Sequence, residues 1–384
     1  MNWLRDNIVK VLIILGVFVV VVVIVAIAFT PKGDNTVKGT KYGELETKLQ
    51  NAAIKYMAKH KKKLPQDSET VAKVQLKTLI SNNYIGTISA VDNSNTKCDG
   101  YVEVTKIADK ENTYRYTPFI TCGEYYVTKT IGDYIIDSET KNGEFNRTTD
   151  AGLYKMGDEY VFRGESVNNF IALDDHLYRI IKIDKDKSLQ LISVYRTNDD
   201  YVWDDRYNVD KDDEDGINDF LKSRLYDSLV DMYDNGESEV GGSMFSSEEQ
   251  DYIIPHEYCI GKRSMADVNI YSGAECTQTV ELKVGLLSIN EYARASIDTN
   301  CTGILDKSCA NYNYFNQLGT SSYYNYFTLT AVADNTYEFY RVSYGEVEPA
   351  ITSYDGQLFP VIYINAKTIY SDGTGTAEDP YIVR

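Results

Sequence analysis

Hydrophobic residues change their spacing sharply early in the chain. Val11 to Phe29 form an uninterrupted apolar run of about the length that crosses a bilayer core, so we expect a transmembrane anchor within residues 1–30. A polar linker over 31–41 follows it. Helical spacing then begins near Tyr42 and stops at Leu64-Pro65. The apolar positions that define this second helix are Leu45, Leu49, Ala52, Ala53, Tyr56 and Met57.

Shorter patterns continue to residue 135. The segment "SETVAKVQLKTLISNNY" predicts a further helix with Ser68 as its N-cap. Three segments rich in β-branched and aromatic residues, "YVEVTKI", "TYRYTPFI" and "EYYVTKT", predict strands. Residues 136–150 are polar and predict a linker. The stretch 42–135 is therefore expected to form a module of its own.

Residues 151–384 mix many strand patterns with few helical ones, which predicts a larger α+β domain. Strands are expected in "EYVFRG", "NNFIALDDHLYRIIKID", "SLQLISVYR" and "FPVIYIN". The segment "INDFLKSRLYDSLVDMY" predicts the clearest helix, with Asp215 or Asn218 as its cap. A shorter helix is expected in "LSINEYARAS", where Ser288 and Glu291 stand at capping-box positions.

Charge narrows the classes of ligand that the folded part can bind. The formal net charge is −18, from 57 acidic and 39 basic residues in 384. A nucleic-acid binder needs a basic face that neutralises phosphates, so we predict no nucleic-acid partner. The same acidity disfavours docking on anionic lipid through the folded part. It favours solubility and makes divalent cations a hypothesis worth testing.

The apolar segment and the cysteines together predict the compartment. An uncleaved anchor that contacts membrane lipid through residues 11–29 is the preferred interpretation, and a signal peptide cleaved after Ala28 is the alternative. Lysine and arginine residues lie on both sides of the segment and do not set its orientation. An even cysteine count behind an exported segment is typical of disulfides. We therefore expect a single-pass protein of the cell membrane with extracellular C-terminal domains.

The chain has six cysteines, and none of them forms a CxxC motif or stands at zinc-ligand spacing from a histidine. Proximity in sequence suggests the pairs Cys98–Cys122, Cys259–Cys276 and Cys301–Cys309. Six cysteines allow about fifteen pairings, so the connectivity stays open, and buried free thiols are the alternative.

An acidic segment, "NVDKDDEDGIND" from Asn208 to Asp219, suggests calcium. An EF-hand register fails in both alignments, because one puts Lys211 at position 1 and the other puts Asp215 where glycine belongs. An irregular oxygen cage remains a hypothesis, and acids that favour the positive end of the next helix are the alternative. Calcium is the one cofactor considered, and its candidate ligands are Asp210, Asp212, Asp213 and Asp215.

Tyrosine is unusually abundant, at 33 residues, and the segment "NYNYFNQLGTSSYYNYF" from Asn311 to Phe327 concentrates it. Tyrosine presents a large rigid face with a polar tip, which suits recognition surfaces and sugar faces. Packing of alternate tyrosines on a β surface is the alternative. No GxSxG elbow is present, so no catalytic residue is predicted. Candidate ligand-binding residues are Tyr312, Tyr314, Tyr323, Tyr324 and Tyr326.

The first module resembles pilins and pseudopilins of type IV filaments and type II secretion systems. The residues that carry the resemblance are "AAIKYMAKHKKKLP" followed by "VQLKTLISNNYI". The resemblance implies a membrane-spanning N-terminal helix and a globular part in which a helix packs on an antiparallel sheet. The apolar run departs from the family, because Gly16 lies inside it with no acidic residue following. Filament assembly is therefore not expected to carry over directly.

The second domain resembles exported bacterial domains related to the C-type-lectin-like fold of formylglycine-generating enzymes. The matching segments are "WDDRYN", Gly216-Ile217-Asn218, "GLLSINEYARAS", "YFTLTA" and "LFPVIYIN". The resemblance implies a binding or display role more than chemistry. In the enzymes two cysteines hold copper, and the equivalents here would be Cys301 and Cys309. A structural disulfide is the preferred interpretation of that pair.

These observations predict a cell-envelope-anchored extracellular protein with a non-catalytic role in binding or display. Its partner would be a surface glycan or a protein ligand, and adhesion is one form that the role could take. A structural subunit of a pilus or secretion system is the first alternative. An enzyme built on the formylglycine-generating scaffold is the second.

Overall fold

A computed structural model describes residues 36–107, 111–140, 150–234, 244–267, 269–318 and 325–384. Its first module is a long helix packed on a three-stranded antiparallel sheet of order β1-β2-β3. The buried face of the helix includes Leu49, Ala53 and Met57, which confirms the helical spacing of its apolar positions. The elements of this module are α1 Thr36–Lys59, β1 Val71–Gln75, α2 Leu76–Ser81, β2 Asp99–Lys106 and β3 Tyr114–Thr121.

A ten-stranded sheet dominates the rest of the chain. Its strands follow the order β10-β18-β8-β7-β6-β20-β19, with β13 also paired to β18 and the β4–β5 hairpin joined to β7. Strand β20 runs parallel to β6, and the other strand pairs of this sheet in the described part of the chain are antiparallel. The strands of this sheet are β4 Gly152–Met156, β5 Glu159–Arg163, β6 Phe170–Leu173, β7 His176–Ile183, β8 Leu189–Ser193, β10 Ile253–Ile254, β13 Val284–Gly285, β18 Val361–Ile364, β19 Tyr370–Asp372 and β20 Tyr381–Val383.

Smaller sheets and short helices cover this sheet. Strands β11 and β12 form one pair, β9 and β17 form another, and β14-β15-β16 form a three-stranded meander. The strands are β9 Tyr201–Val202, β11 His256–Cys259, β12 Thr279–Leu282, β14 Asn325–Ala331, β15 Glu338–Ser343, β16 Glu346–Ile351 and β17 Asp355–Gly356. The helices are α3 Ile131–Glu139, α4 Arg224–Asp234, α5 Ser247–Tyr252 and α6 Ile289–Arg294.

The expectation of a single-pass membrane protein is contradicted. Across the residues that the structure describes, no helix has both the length and the apolar character needed to cross a bilayer. The predicted anchor over 1–30 and its apolar run over 11–29 lie outside the described residues. The fold class is therefore corrected to a mixed α+β chain in which sheet predominates, and no membrane-spanning helix lies among the described residues.

One other predicted element is wrong. The helix expected after Ser68 is instead strand β1 followed by the short helix α2, because Val71 to Gln75 pair with Thr105 to Tyr101 of β2. Of the two predicted linkers, 31–41 overlaps the start of α1 and 136–150 overlaps the end of α3, and residues 31–35 and 141–149 lie outside the described residues. The capping box on α6 is confirmed, since Ser288 and Glu291 bond each other's backbone N–H groups.

The two modules have separate hydrophobic cores, and α3 belongs to the second one through Ile131 and Ile135. Backbone hydrogen bonds tie the segment around Thr368 and Tyr370 to the connection between the modules. Ile131 N–H donates to Thr368 O over 2.9 Å, and Tyr370 N–H donates to Lys129 O over 3.1 Å. These bonds bring the end of the chain alongside the first module.

Candidate functional site

Three polar side chains lie in a row across the large sheet. Gln190 on β8 is paired with Lys182 on β7 and with Tyr363 on β18, so the three are direct cross-strand neighbours. Opposed residues of antiparallel strands project from the same face. All three line an open cleft of about 590 Å³. We call Lys182, Gln190 and Tyr363 the polar row.

Each member of the polar row interrupts a run of buried apolar residues. Strand alternation sends the flanking residues to the opposite face, where they enter the core. The polar residues are thus held on rigid, buried strands rather than on loops. The buried flanking residues are Ile181, Ile183, Leu189, Leu191, Ile362 and Ile364.

An aromatic wall borders the polar row. The His256 ring of β11 stacks on the Tyr363 ring at 3.7 Å between centroids and 3° between planes. Tyr258 meets the same ring edge-on at 5.4 Å, and its hydroxyl donates to Val361 O over 2.8 Å. The Cys259–Cys276 disulfide closes this side of the cleft. The wall is therefore fixed by stacking, a hydrogen bond and a covalent link.

Charges converge on Lys182. Its Nζ lies 3.3 Å from Glu159 Oε2 and 3.4 Å from Asp184 Oδ2. Burial alone lowers the pKa of Lys182, but the charges of Glu291, Glu159 and Asp184 outweigh burial and raise the pKa above its ordinary value. Burial alone would raise the pKa of Asp184. The charges of Lys182 and His256 outweigh burial, so the pKa of Asp184 is lowered. Both groups stay charged at neutral pH.

Gln190 differs from Lys182 and Tyr363, because its amide oxygen accepts no hydrogen bond. The side chain is 1% exposed, and its Oε1 accepts no hydrogen bond in the described part of the chain. A buried acceptor without a partner costs about 1–3 kcal/mol, and most such groups are satisfied by protein or by water. A buried amide oxygen without a donor, in a side chain that lines a cleft, makes the polar row the candidate site.

The structure does not bring three of the candidate calcium ligands of the acidic loop together. In the described residues no three carboxylate, histidine or cysteine side chains are grouped closely enough to hold a metal ion. Lys211 pairs instead with Asp213, at 3.6 Å, and with Asp215. Asp212 accepts a hydrogen bond from the Tyr207 hydroxyl, and Asp210 is exposed.

Buried residues at both ends of the loop determine its path. Asn218 does not cap α4, because its Nδ2 donates to carbonyls around the β14–β15 turn, including Glu338 O at 2.7 Å. Asp215 does not cap it either, and Ser223 does so by accepting from Tyr226 N–H over 3.1 Å. Gly216 adopts a φ of +74°, and a Cβ there would lie 2.0 Å from Asp204 O.

The tyrosine segment does not form one recognition surface. Tyr314 and Tyr326 are buried in the core, at 0% and 1% exposure, so neither belongs to an exposed recognition surface. Tyr312 is exposed, whereas Tyr323 and Tyr324 lie outside the described residues. The Tyr314 ring packs against Phe315, and the Tyr326 ring packs against Phe359.

All three predicted disulfides are present. Cys98–Cys122, Cys259–Cys276 and Cys301–Cys309 each join cysteines close in sequence, and no cysteine of the chain is free. The first joins the entry of β2 to the end of β3, as its position beside the predicted strands suggested. Thiol chemistry at Cys301 and Cys309 therefore has no support.

The residues of the polar row were missed in the sequence, although a signal for them exists. Each of "RIIKI", "LQLIS" and "PVIYI" holds a polar residue where a buried strand calls for an apolar one. Such a residue indicates either a structural group that forms its hydrogen bonds within the protein or a ligand-binding site. The sequence cannot separate the two, since the partners come from other strands.

Comparison of the chain with protein-family models, with curated proteins and with solved structures returns no match. The resemblances to pilins and to C-type-lectin-like domains thus stay predictions.

Proposed function

We propose that this chain is a non-catalytic binding protein whose ligand is a neutral, polyhydroxylated molecule such as a glycan. The ligand binds at the polar row. The unpartnered Oε1 of Gln190 carries this proposal, because a ligand hydroxyl that reaches it removes the cost of a buried acceptor without a donor. The proposal concerns the folded domain alone and needs no membrane segment.

The charge of the cleft favours a neutral ligand over an anionic one. Two lysines, Lys182 and Lys185, face a larger number of carboxylates around the opening. A phosphate or sulfate group would meet these carboxylates at short range, which is unfavourable by Coulomb's law. A hydroxyl can donate to carboxylates and accept from lysine or the amide, so it suits every charged group present. The lining carboxylates are Asp184, Asp186, Glu257, Glu281 and Glu291.

The size and rigidity of the site also suit a sugar. A cleft of about 590 Å³ lies in the range of small-ligand sites, which is about 300–1,000 Å³. The stacked rings of His256 and Tyr363 supply an ordered aromatic edge for the apolar face of a pyranose. Rigid strands hold the polar groups, so little side-chain entropy is lost on binding.

A binding experiment on the full-length chain tests this proposal. A glycan array selects a ligand, and isothermal titration calorimetry measures its affinity for wild type and for Gln190→Leu. Leucine has nearly the same volume but offers no hydrogen bond. We expect Gln190→Leu to weaken binding at least about tenfold, which corresponds to about 1.4 kcal/mol.

The matched control is Gln66→Leu, the same exchange at an exposed position of the first module. It should leave the affinity unchanged. An array without any bound glycan, or equal affinities of wild type and Gln190→Leu, would show that the polar row is not a sugar site.

A further inference from the structure

A second cleft lies between the two modules. It has a volume of about 640 Å³ and is bounded by α1 and β3 on one side and by α5, β20 and the end of the chain on the other. A neighbouring cleft of about 680 Å³ shares three of its lining residues, Ile107, Arg115 and Lys367. The two clefts therefore form one groove along the module boundary, with Arg115 at the point where they meet.

Among the described residues, three lysine or arginine side chains line the 640 Å³ cleft, and carboxylates of the first module neutralise two of them. Lys367 pairs with Glu103, which also binds Lys73 at 3.0 Å. Arg384 pairs with the fully buried Glu46. These ion pairs join the modules and leave Arg115 as the remaining cation.

Arg115 has no such partner. Within the described residues its guanidinium forms no hydrogen bond and no ion pair. Burial lowers the pKa of Arg115, and the charges of Asp251 and Tyr252 reverse this only in part. A half-buried guanidinium without a hydrogen-bond acceptor lowers the stability of the protein. In the groove, the planar set of N–H donors of Arg115 is therefore free to bind a ligand.

The rest of the groove limits what can occupy it. Strand β3 cannot be extended by a further strand, because Gln50 Nε2 already donates to Tyr116 O over 2.7 Å and Pro118 has no N–H. Three exposed carboxylates stand on the opposite wall, so a polyanion is excluded by repulsion. They belong to Asp174, Glu248 and Asp251.

We infer that the inter-module groove binds a ligand through one oxyanion group, a carboxylate or a phosphate, held by the guanidinium of Arg115. A planar guanidinium binds either group through two parallel hydrogen bonds. Ile54, Ile107 and Ile382 line the same cleft and pack against the apolar part of the ligand. This site is separate from the polar row and does not rest on the proposed function.

The test uses the full-length protein and two probes, sodium acetate and inorganic phosphate, at constant ionic strength made up with chloride. The Nε–H resonance of Arg115 is followed by NMR, and each probe is titrated. We expect this resonance to shift with at least one probe, and the probe that binds more tightly identifies the class of oxyanion.

Three variants complete the test. Arg115→Gln should weaken the binding of that probe at least about tenfold. Arg115→Lys keeps the positive charge but loses the two parallel N–H donors of the guanidinium. We therefore expect this variant to lose most of the affinity for the probe. Arg196→Gln, at an exposed position of the second domain, is the matched control and should bind as wild type does.

The thermal stability of Arg115→Gln separates a binding role from a structural one. Without a probe, its Tm should equal or exceed that of wild type, because no hydrogen bond is lost and a desolvated charge is removed. A clear fall in Tm, failure to fold, or a probe response equal to wild type would overturn the inference. So would a shift of the Arg115 resonance that chloride reproduces.

Discussion

Arg179 and Gln190 lie on adjacent strands of one sheet, each 1% exposed, and burial has opposite consequences for them. The guanidinium of Arg179 donates to Asn169 Oδ1 over 2.8 Å and to Gln317 Oε1 over 3.1 Å. It also stacks against Phe170 at 4.3 Å and Tyr314 at 4.7 Å. Gln190 is neutral and smaller, yet its Oε1 has no partner in the described chain.

This difference shows that burial of a polar group does not by itself indicate function. Burial lowers the pKa of Arg179 to about 10, so it stays charged at neutral pH and its acceptors keep it stable. A satisfied buried group of this kind holds the fold together. An unsatisfied one, such as Gln190 or Arg115, lowers the stability of the apo protein and leaves capacity for a ligand.

Replacement of Arg179 should have the largest effect. In Arg179→Met the acceptors at Asn169, Gln317 and the Tyr314 carbonyl lose their donors, and each buried loss costs about 1–3 kcal/mol. We expect the free energy of unfolding, measured in urea, to fall by about 3 kcal/mol or more. Arg196→Met, at an exposed position, should change it by less than about 0.5 kcal/mol. Equal effects of the two variants would contradict a structural role for Arg179.

Asn218 should come next. Its amide serves carbonyls of Val332, Asn335 and Glu338, and it holds the acidic loop against β14 and β15. We expect Asn218→Ala to lower the free energy of unfolding by about 2–3 kcal/mol. The control is Asn300→Ala in an exposed turn. Added calcium should not restore the stability of Asn218→Ala, and a recovery of Tm with calcium would revive the metal hypothesis for this loop.

Gln190 should behave in the opposite way. Gln190→Leu removes an unsatisfied acceptor and adds an apolar side chain at a buried position, so the unliganded protein should gain about 1 kcal/mol in urea unfolding. Gln66→Leu should have almost no effect. If Gln190→Leu instead lowers the free energy of unfolding by more than about 1 kcal/mol, Gln190 is a structural residue with a hydrogen-bond partner, as Arg179 is.

The smallest effect is a pH dependence at His176. Its Nδ1 forms a hydrogen bond with Oε1 of the buried Glu249 over 2.9 Å, and this hydrogen bond raises the pKa of His176 above its ordinary value. The protonated form is therefore favoured in the folded state. Its stabilisation is complete below the unfolded pKa of about 6.5 and is lost as pH rises through the higher folded value.

Between about pH 6 and pH 8, wild type should thus lose more stability than His176→Gln. The difference should stay under about 1 kcal/mol, because the imidazole is nearly half exposed and solvent screens it. His60→Gln, just beyond α1, is the control. Parallel pH profiles of wild type and His176→Gln would contradict the assignment.

Local features were predictable from the sequence, and longer-range ones were not. The apolar face of α1 and the Ser288–Glu291 capping box depend on residues three or four positions apart, so their patterns are visible in the chain. The prediction of a helix was wrong for Val71 to Gln75, because these residues pair with β2 despite their helical spacing. Tyr314 and Tyr326 were named as candidate ligand-binding residues because composition does not reveal burial.

The sequence by itself determined the helix of the first module and the acidic, sheet-rich character of the chain, since local periodicity and composition decide these. It suggested the three disulfide pairs by proximity but left their connectivity open. Tertiary structure alone decided the two candidate sites. Lys182 and Gln190 meet Tyr363 only when β18 pairs with β8, and Arg115 faces the end of the chain only when the modules join. Whether a buried polar group forms its hydrogen bonds depends on partners far along the chain. The fold decides whether those partners lie close enough to form them.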